Sequence, residues 1–146
     1  MKYISYSTAE TEKFAAEFAK NIKNGDCIAF VGGMGMGKTA FVRGLSKGLE
    51  LKGEVCSPTF SLVNEYRSQR MTLYHFDMYR ITSLDDLYST GFFDYLDTDA
   101  VLAVEWSENV TDALPENTIY ITINRLDDNT REIEITGDER FEDTCG

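Results

Sequence analysis

The sequence predicts an α/β protein of three layers, with a mixed sheet, central parallel strands, antiparallel additions and helices on both faces. Three observations lead there. First, Cys27–Val31 is an almost unbroken apolar run, the pattern of a strand buried on both faces. A glycine-rich stretch follows it, and then Phe41, Val42, Leu45 and Leu49 recur at helical spacing. Second, Ala100–Val104 repeats the buried-strand pattern. Third, two pairs of β-type segments flank polar turns and read as hairpins. At 146 residues one domain is expected, spanning 1–137, with 138–146 as an acidic, frayed tail.

Each element has a local reason. The N-terminal segment reads as a helix: Ser7 and Glu10 fit a capping box, Phe14, Phe18 and Ile22 form one stripe, and Asn24-Gly25 stops it. The glycine stretch separates the strand at 27–31 from a helix running to about Gly48. Residues 53–58 connect to the first hairpin, strands 60–66 and 71–79 around Arg67-Ser68-Gln69-Arg70. Ser83 and Asp86 cap a short helix to Tyr88, and an aromatic stretch spans 91–95. A short helix is expected from Ser107 to Leu114, ended by Pro115. Strands 118–123 and 132–135 close the chain around Asp127-Asp128-Asn129-Thr130.

Gly32 to Thr39 reads Gly-Gly-Met-Gly-Met-Gly-Lys-Thr and matches the phosphate-binding loop pattern G-x-x-x-x-G-K-[ST]. Strand, glycine loop and helix are the context that this pattern requires. Glycines permit close backbone approach, so the N–H groups of Gly33, Met34, Gly35, Met36 and Gly37 can point at a phosphate, and the helix N-terminus adds partial positive charge. Lys38 is placed to reach the β- and γ-phosphates, and Thr39 to set its hydroxyl on Mg²⁺. Such a loop needs a carboxylate at a neighbouring strand end. Glu105 ends an interior-type strand and is assigned the metal side. Asp77, ending a strand of mixed polarity, is assigned to orient the attacking water or the metal's hydration shell. A solvated acid at a strand end is the competing reading for each.

Thr59, set by Ser57-Pro58, could sense Mg²⁺ or the γ-phosphate; a simple turn competes with that role. His75 is the only histidine and is assigned no chemistry. Trp106 and the aromatic cluster Tyr88, Phe92, Phe93 and Tyr95 read as core, with part of the cluster open to partner binding.

Composition narrows the partners. A net charge of −11, with 14 scattered Lys and Arg, argues against direct tight nucleic-acid binding and favours a partner with a basic surface. Three cysteines without pairing or metal spacing, no leader-like apolar start and no membrane-length run read as a cytoplasmic protein, monomeric by itself.

The ordered set of the phosphate loop, Ser57-Pro58-Thr59-Phe60, the stretch Tyr74 to Arg80, and Glu105-Trp106-Ser107-Glu108 resembles the TsaE (YjeE) family over nearly the whole chain. The resemblance implies a P-loop NTPase-like fold and slow, Mg²⁺-dependent ATP hydrolysis. It also implies a role in making threonylcarbamoyladenosine in tRNA with TsaB and TsaD, ATP turnover resetting the transferase complex. By resemblance, Thr39 and Glu105 hold Mg²⁺, Lys38 and its loop hold the phosphates, and Asp77 matches a functionally important aspartate. Thr59 matches a switch-like threonine, and Ser7 and Glu108 match positions near the nucleotide. Gly33 and Met36 depart from the family's usual Asp and small residue. Three other readings compete: a small-molecule kinase, a GTPase hinted at by Asn124-Arg125-Leu126-Asp127, and a nucleotide-gated assembly factor with incidental hydrolysis.

Overall fold

The computed structural model describes residues 1–31, 37–51, 63–69, 71–78, 81–89, 91–96, 98–107 and 110–137, with only the backbone of Val63, Asn64 and Asp77. Seven strands are defined there: β1 Lys2–Ser5, β2 Cys27–Val31, β3 Val63–Arg67, β4 Thr72–Asp77, β5 Val101–Glu105, β6 Ile119–Arg125 and β7 Arg131–Thr136. The helices are α1 Thr8–Ala19, α2 Lys38–Gly48, α3 Leu84–Ser89 and α4 Phe92–Leu96.

The strands form one sheet in the order β1-β7-β6-β2-β5-β4-β3. Its centre is parallel: β6 and β5 flank β2, and β4 lies beyond β5. Antiparallel strands extend both margins, β7 and β1 on one side and β3 on the other. The expected mixed sheet is therefore present, with the interior-type strand β5 directly beside β2. Burial explains the placement. Every residue of β5 and the first four of β2 are buried, so neither strand can tolerate an edge or a wet face.

Period-two alternation divides the core. Ile28, Phe30, Val101 and Ala103 face α1 and α2, in one cluster with Phe18, Phe41 and Leu45. Cys27, Leu102 and Val104 face the opposite way, toward Phe76, Leu87 and Phe92. Helices thus cover both faces. Phe41 is the hub of the first layer, its ring 5.5 Å from Phe18 and 5.7 Å from Phe30.

Several boundaries depart from the sequence reading. The N-terminus starts as strand β1, antiparallel to β7, before the helix begins. Four residues are too few to declare an alternation, and the partner lies more than a hundred residues away. Ser7 caps the helix as expected, its hydroxyl accepting from the Glu10 N–H at 3.0 Å, while the Glu10 carboxylate accepts from the N–H of Tyr6, one residue before the cap, at 3.1 Å. Helix α1 nevertheless ends at Ala19, before Asn24-Gly25. The aromatic stretch forms a helix of its own, α4. Of the helix expected over 107–114, the described residues hold 3-10 structure, at Ser107 and at Thr111–Ala113, and Leu114 is extended before Pro115. The 138–146 tail and the 53–58 connector lie outside the described residues.

Helices α1 and α2 pack backbone to backbone. A β-carbon at Gly44 would sit 2.1 Å from the Glu12 carbonyl oxygen, and one at Gly48 would sit 2.5 Å from that of Ala16. The Glu12 carboxylate then reaches Arg43 at 3.1 Å and Lys47 at 3.3 Å across the same seam. Gly44→Ala must separate the helices, and a loss of about 1–3 kcal/mol in urea denaturation is expected, larger than for an exposed Gly→Ala change. Burial pushes the Cys27 thiol up to about 11, so it stays protonated at neutral pH. Iodoacetamide followed by peptide mass spectrometry should label Cys27 only after unfolding.

Candidate functional site

The carboxyl ends of β2, β5 and β4 converge at one edge of the sheet, where open α/β sheets carry their ligand sites. Helix α2 begins there. Its N-cap is Gly37 at φ +98°, a conformation that costs glycine little and other residues more. Glycine has no side chain to cap with, so the helix start offers N–H donors and partial positive charge without a competing carboxylate or hydroxyl from that position.

Lys38, the first residue of α2, is only 5% exposed. Its ammonium lies 5.4 Å from the centre of the Trp106 ring, within cation–π range. It also lies close enough to Glu105 to act on that group's ionisation. Glu105 is 7% exposed, and His75 Nε2 comes within 3.1 Å of its Oε2. The ring N–H is not aligned on that oxygen, so neither His75 nitrogen has a hydrogen-bond partner among the described residues. Burial drives the Glu105 carboxyl up, but the approach of His75 and the charge of Lys38 outweigh it and hold the group below its ordinary 4.5.

The backbone around Glu105 is pinned. Its carbonyl accepts from the Met78 N–H at 3.0 Å, and the buried Ser107 hydroxyl donates to the Phe30 carbonyl at 2.8 Å, tying β5 to the end of β2. Between these anchors Trp106 has φ +58°, a left-handed value uncommon for a bulky residue. That turn leaves the ring packed on the second core layer and over Lys38.

Of the residues singled out in the sequence, the structure brings Gly37, Lys38 and Glu105 together, with Thr39 exposed on the first turn of α2. Asp77 is paired in register with Glu105 across the parallel β4–β5 ladder, which puts both positions at the same strand end. Ser7 caps α1. Gly33, Met34, Gly35, Met36, Thr59 and Glu108 lie outside the described residues. His75, given no chemistry from sequence, stands against Glu105. The signal available was its period-two spacing from Asp77, the acid assigned to orient the attacking water or the metal's hydration shell.

The donor set suits a magnesium triphosphate: an uncapped helix start, a buried ammonium, an exposed threonine hydroxyl and an ionised carboxylate. Fold and site together define the class, an α/β protein of the P-loop-like kind. The family model described as "Threonylcarbamoyl adenosine biosynthesis protein TsaE" matches residues 5–133. The chain belongs to the TsaE family. A tRNA threonylcarbamoyladenosine biosynthesis protein TsaE from Treponema pallidum (strain Nichols) is 36% identical over 135 residues, covering 92% of this chain and 99% of the relative. One of the same name from Bacillus subtilis (strain 168) is 34% identical over 146 residues, 99% of this chain and 91% of the relative. The crystal structure of Bacillus subtilis YdiB superposes with a TM-score of 0.76 at 30% identity, over 97% of this chain and 88% of that one. No helix among the described residues is long and apolar enough to cross a membrane.

Glu105 has a folded-state value below its unfolded one, so its ionised form contributes stability above the ordinary carboxylate range and loses it as pH falls through the lowered value. Urea denaturation between about pH 6 and about pH 3 should therefore give a shallower acid limb for Glu105→Gln than for the wild type.

Proposed function

We propose that this chain is a weak, magnesium-dependent, partner-activated ATPase that serves tRNA N6-threonylcarbamoyladenosine formation by resetting a TsaB–TsaD transferase complex through ATP hydrolysis. The observation that carries the reading is the buried Lys38 at the glycine-led start of α2, beside an ionised Glu105. Membership of the TsaE family and the names of its relatives support the pathway.

In this mechanism the N–H groups from Gly33 to Thr39 and the Lys38 ammonium hold the β- and γ-phosphates of ATP. The Thr39 hydroxyl and the Glu105 carboxylate would hold Mg²⁺, which would supply charge neutralisation to the phosphates. Asp77, at the same strand end as Glu105, orients the water that attacks the γ-phosphorus. The bond to the β–γ bridging oxygen breaks, leaving ADP, inorganic phosphate and a proton. By the family resemblance Ser7 and Glu108 would contact the nucleotide, and Thr59 would report the γ-phosphate to the partner. Work of this kind takes place in the cytoplasm, with the protein monomeric until it meets its partners.

Trp106 is the only tryptophan, so its emission is a direct probe. Titration with ATP and Mg²⁺ should change that emission as Lys38 turns from the ring to phosphate. Lys38→Ala should remove the response and lower turnover about 100-fold or more. A flat titration with every adenine nucleotide, alone and with TsaB and TsaD, would sink the proposal. For the resetting role, Glu105→Ala should let the complex form about one modified nucleoside per transferase and then stop. Sustained turnover with that variant would mean that hydrolysis is incidental.

A further inference from the structure

The charge of this protein is segregated along the chain. Between residues 81 and 124 there are nine Asp or Glu and no Lys, Arg or His, so all 14 Lys and Arg lie elsewhere. The same segment builds α3, α4 and the 3-10 turn on the face opposite α1 and α2. Between these elements lies a groove of about 730 Å³, with an apolar floor of Leu84, Leu87, Tyr88, Phe93, Val110 and Ala113.

Two of the floor residues lie in the open. Leu84 is 59% exposed and Tyr88 61% exposed, and they stand one turn apart on the same face of α3. Leu87 is buried beneath them, and Tyr88 packs on Phe93 with ring centres 4.6 Å apart. The elements that form the groove carry exposed carboxylates: Asp85 and Asp86 on the first turn of α3, Asp94 on α4, and Asp112, which lines the groove, on the 3-10 turn. Asp86 is held in place, its carboxylate accepting from the Thr82 N–H at 3.2 Å and the Thr82 hydroxyl at 3.0 Å.

We infer that this groove is a docking surface for a basic amphipathic segment of a protein partner, apolar side chains in the floor and Lys or Arg on the rim. Exposed apolar side chains one helical turn apart suit anchors at helical spacing, and neighbouring charge of one sign selects the opposite sign. The same rim repels phosphate, which sets the groove apart from the nucleotide site and excludes RNA as its occupant. It also repels the chain's own 138–146 tail, which carries four carboxylates against one arginine. In the chain, α3 comes after β4, which ends in Asp77, and the 3-10 turn comes after β5, which ends in Glu105. This inference rests on the reading that the chain works bound to partner proteins, and it names the face and the chemistry of that contact.

Calorimetry of the full-length chain with purified TsaB and TsaD, at about 50 mM and about 300 mM salt, tests it. Leu84→Ser with Tyr88→Ser should weaken association about tenfold or more. Asp85→Lys with Asp112→Lys should weaken it too and flatten its salt dependence. Both double variants should keep the wild-type Trp106 response to ATP and Mg²⁺, which verifies the fold independently of docking. Partners bound by both variants as tightly as by wild type would overturn the docking surface and leave the ATPase reading standing. No association of the wild-type chain, with its nucleotide response intact, would overturn the partner reading and this inference with it. A wild-type dimer in sedimentation that Leu84→Ser with Tyr88→Ser converts to monomer would assign the groove to a second copy and overturn the proposal.

Discussion

A buried ammonium is tolerated only where negative charge or an aromatic face replaces the water it has lost, and Lys38 has both. That requirement organises the edge of the sheet. Glu105 must arrive from a neighbouring strand, and Trp106 must turn back over the lysine instead of continuing β5. The left-handed backbone at Trp106 is the local cost of that turn. The Met78 N–H on the Glu105 carbonyl and the Ser107 hydroxyl on the Phe30 carbonyl are the bonds that hold it.

The parallel order β2-β5-β4 follows from the same demand. Parallel neighbours end at the same edge, so one register brings Asp77 level with Glu105, and the next sets β5 beside β2, with Glu105 close to Lys38 at the start of α2. An antiparallel β5 would carry its acid to the opposite edge, thirteen or more ångströms away by strand length alone on the order of 3.3 Å per residue. Close packing of α1 on α2 through Gly44 and Gly48 then fixes the tilt of α2, and so the position of its first residue.

Charge is distributed with equal economy. Most basic residues precede residue 81, and among them Arg43 and Lys47 clasp Glu12 across the α1–α2 seam. Acidic residues dominate the stretch that covers the far face. The result is a molecule with one edge suited to phosphate and an acidic segment on the far face, two surfaces set apart by the sign of their charge.

What could be read from the residues alone was local. The capping box at Ser7 and Glu10, the glycine-led entry to α2, the two hairpins and the buried character of β2 and β5 each depend on residues within one turn or one strand, where backbone sterics and burial decide. Glu105 was legible because its strand is apolar on both faces. The tertiary structure alone decided the pairing of β1 with β7, the shortened helix before Pro115, the approach of His75 to Glu105 and the seat of Lys38 over Trp106. The reason is physical: most of these contacts join residues tens of positions apart, brought together by the burial of the whole sheet, and spacing along a chain carries no record of such distances.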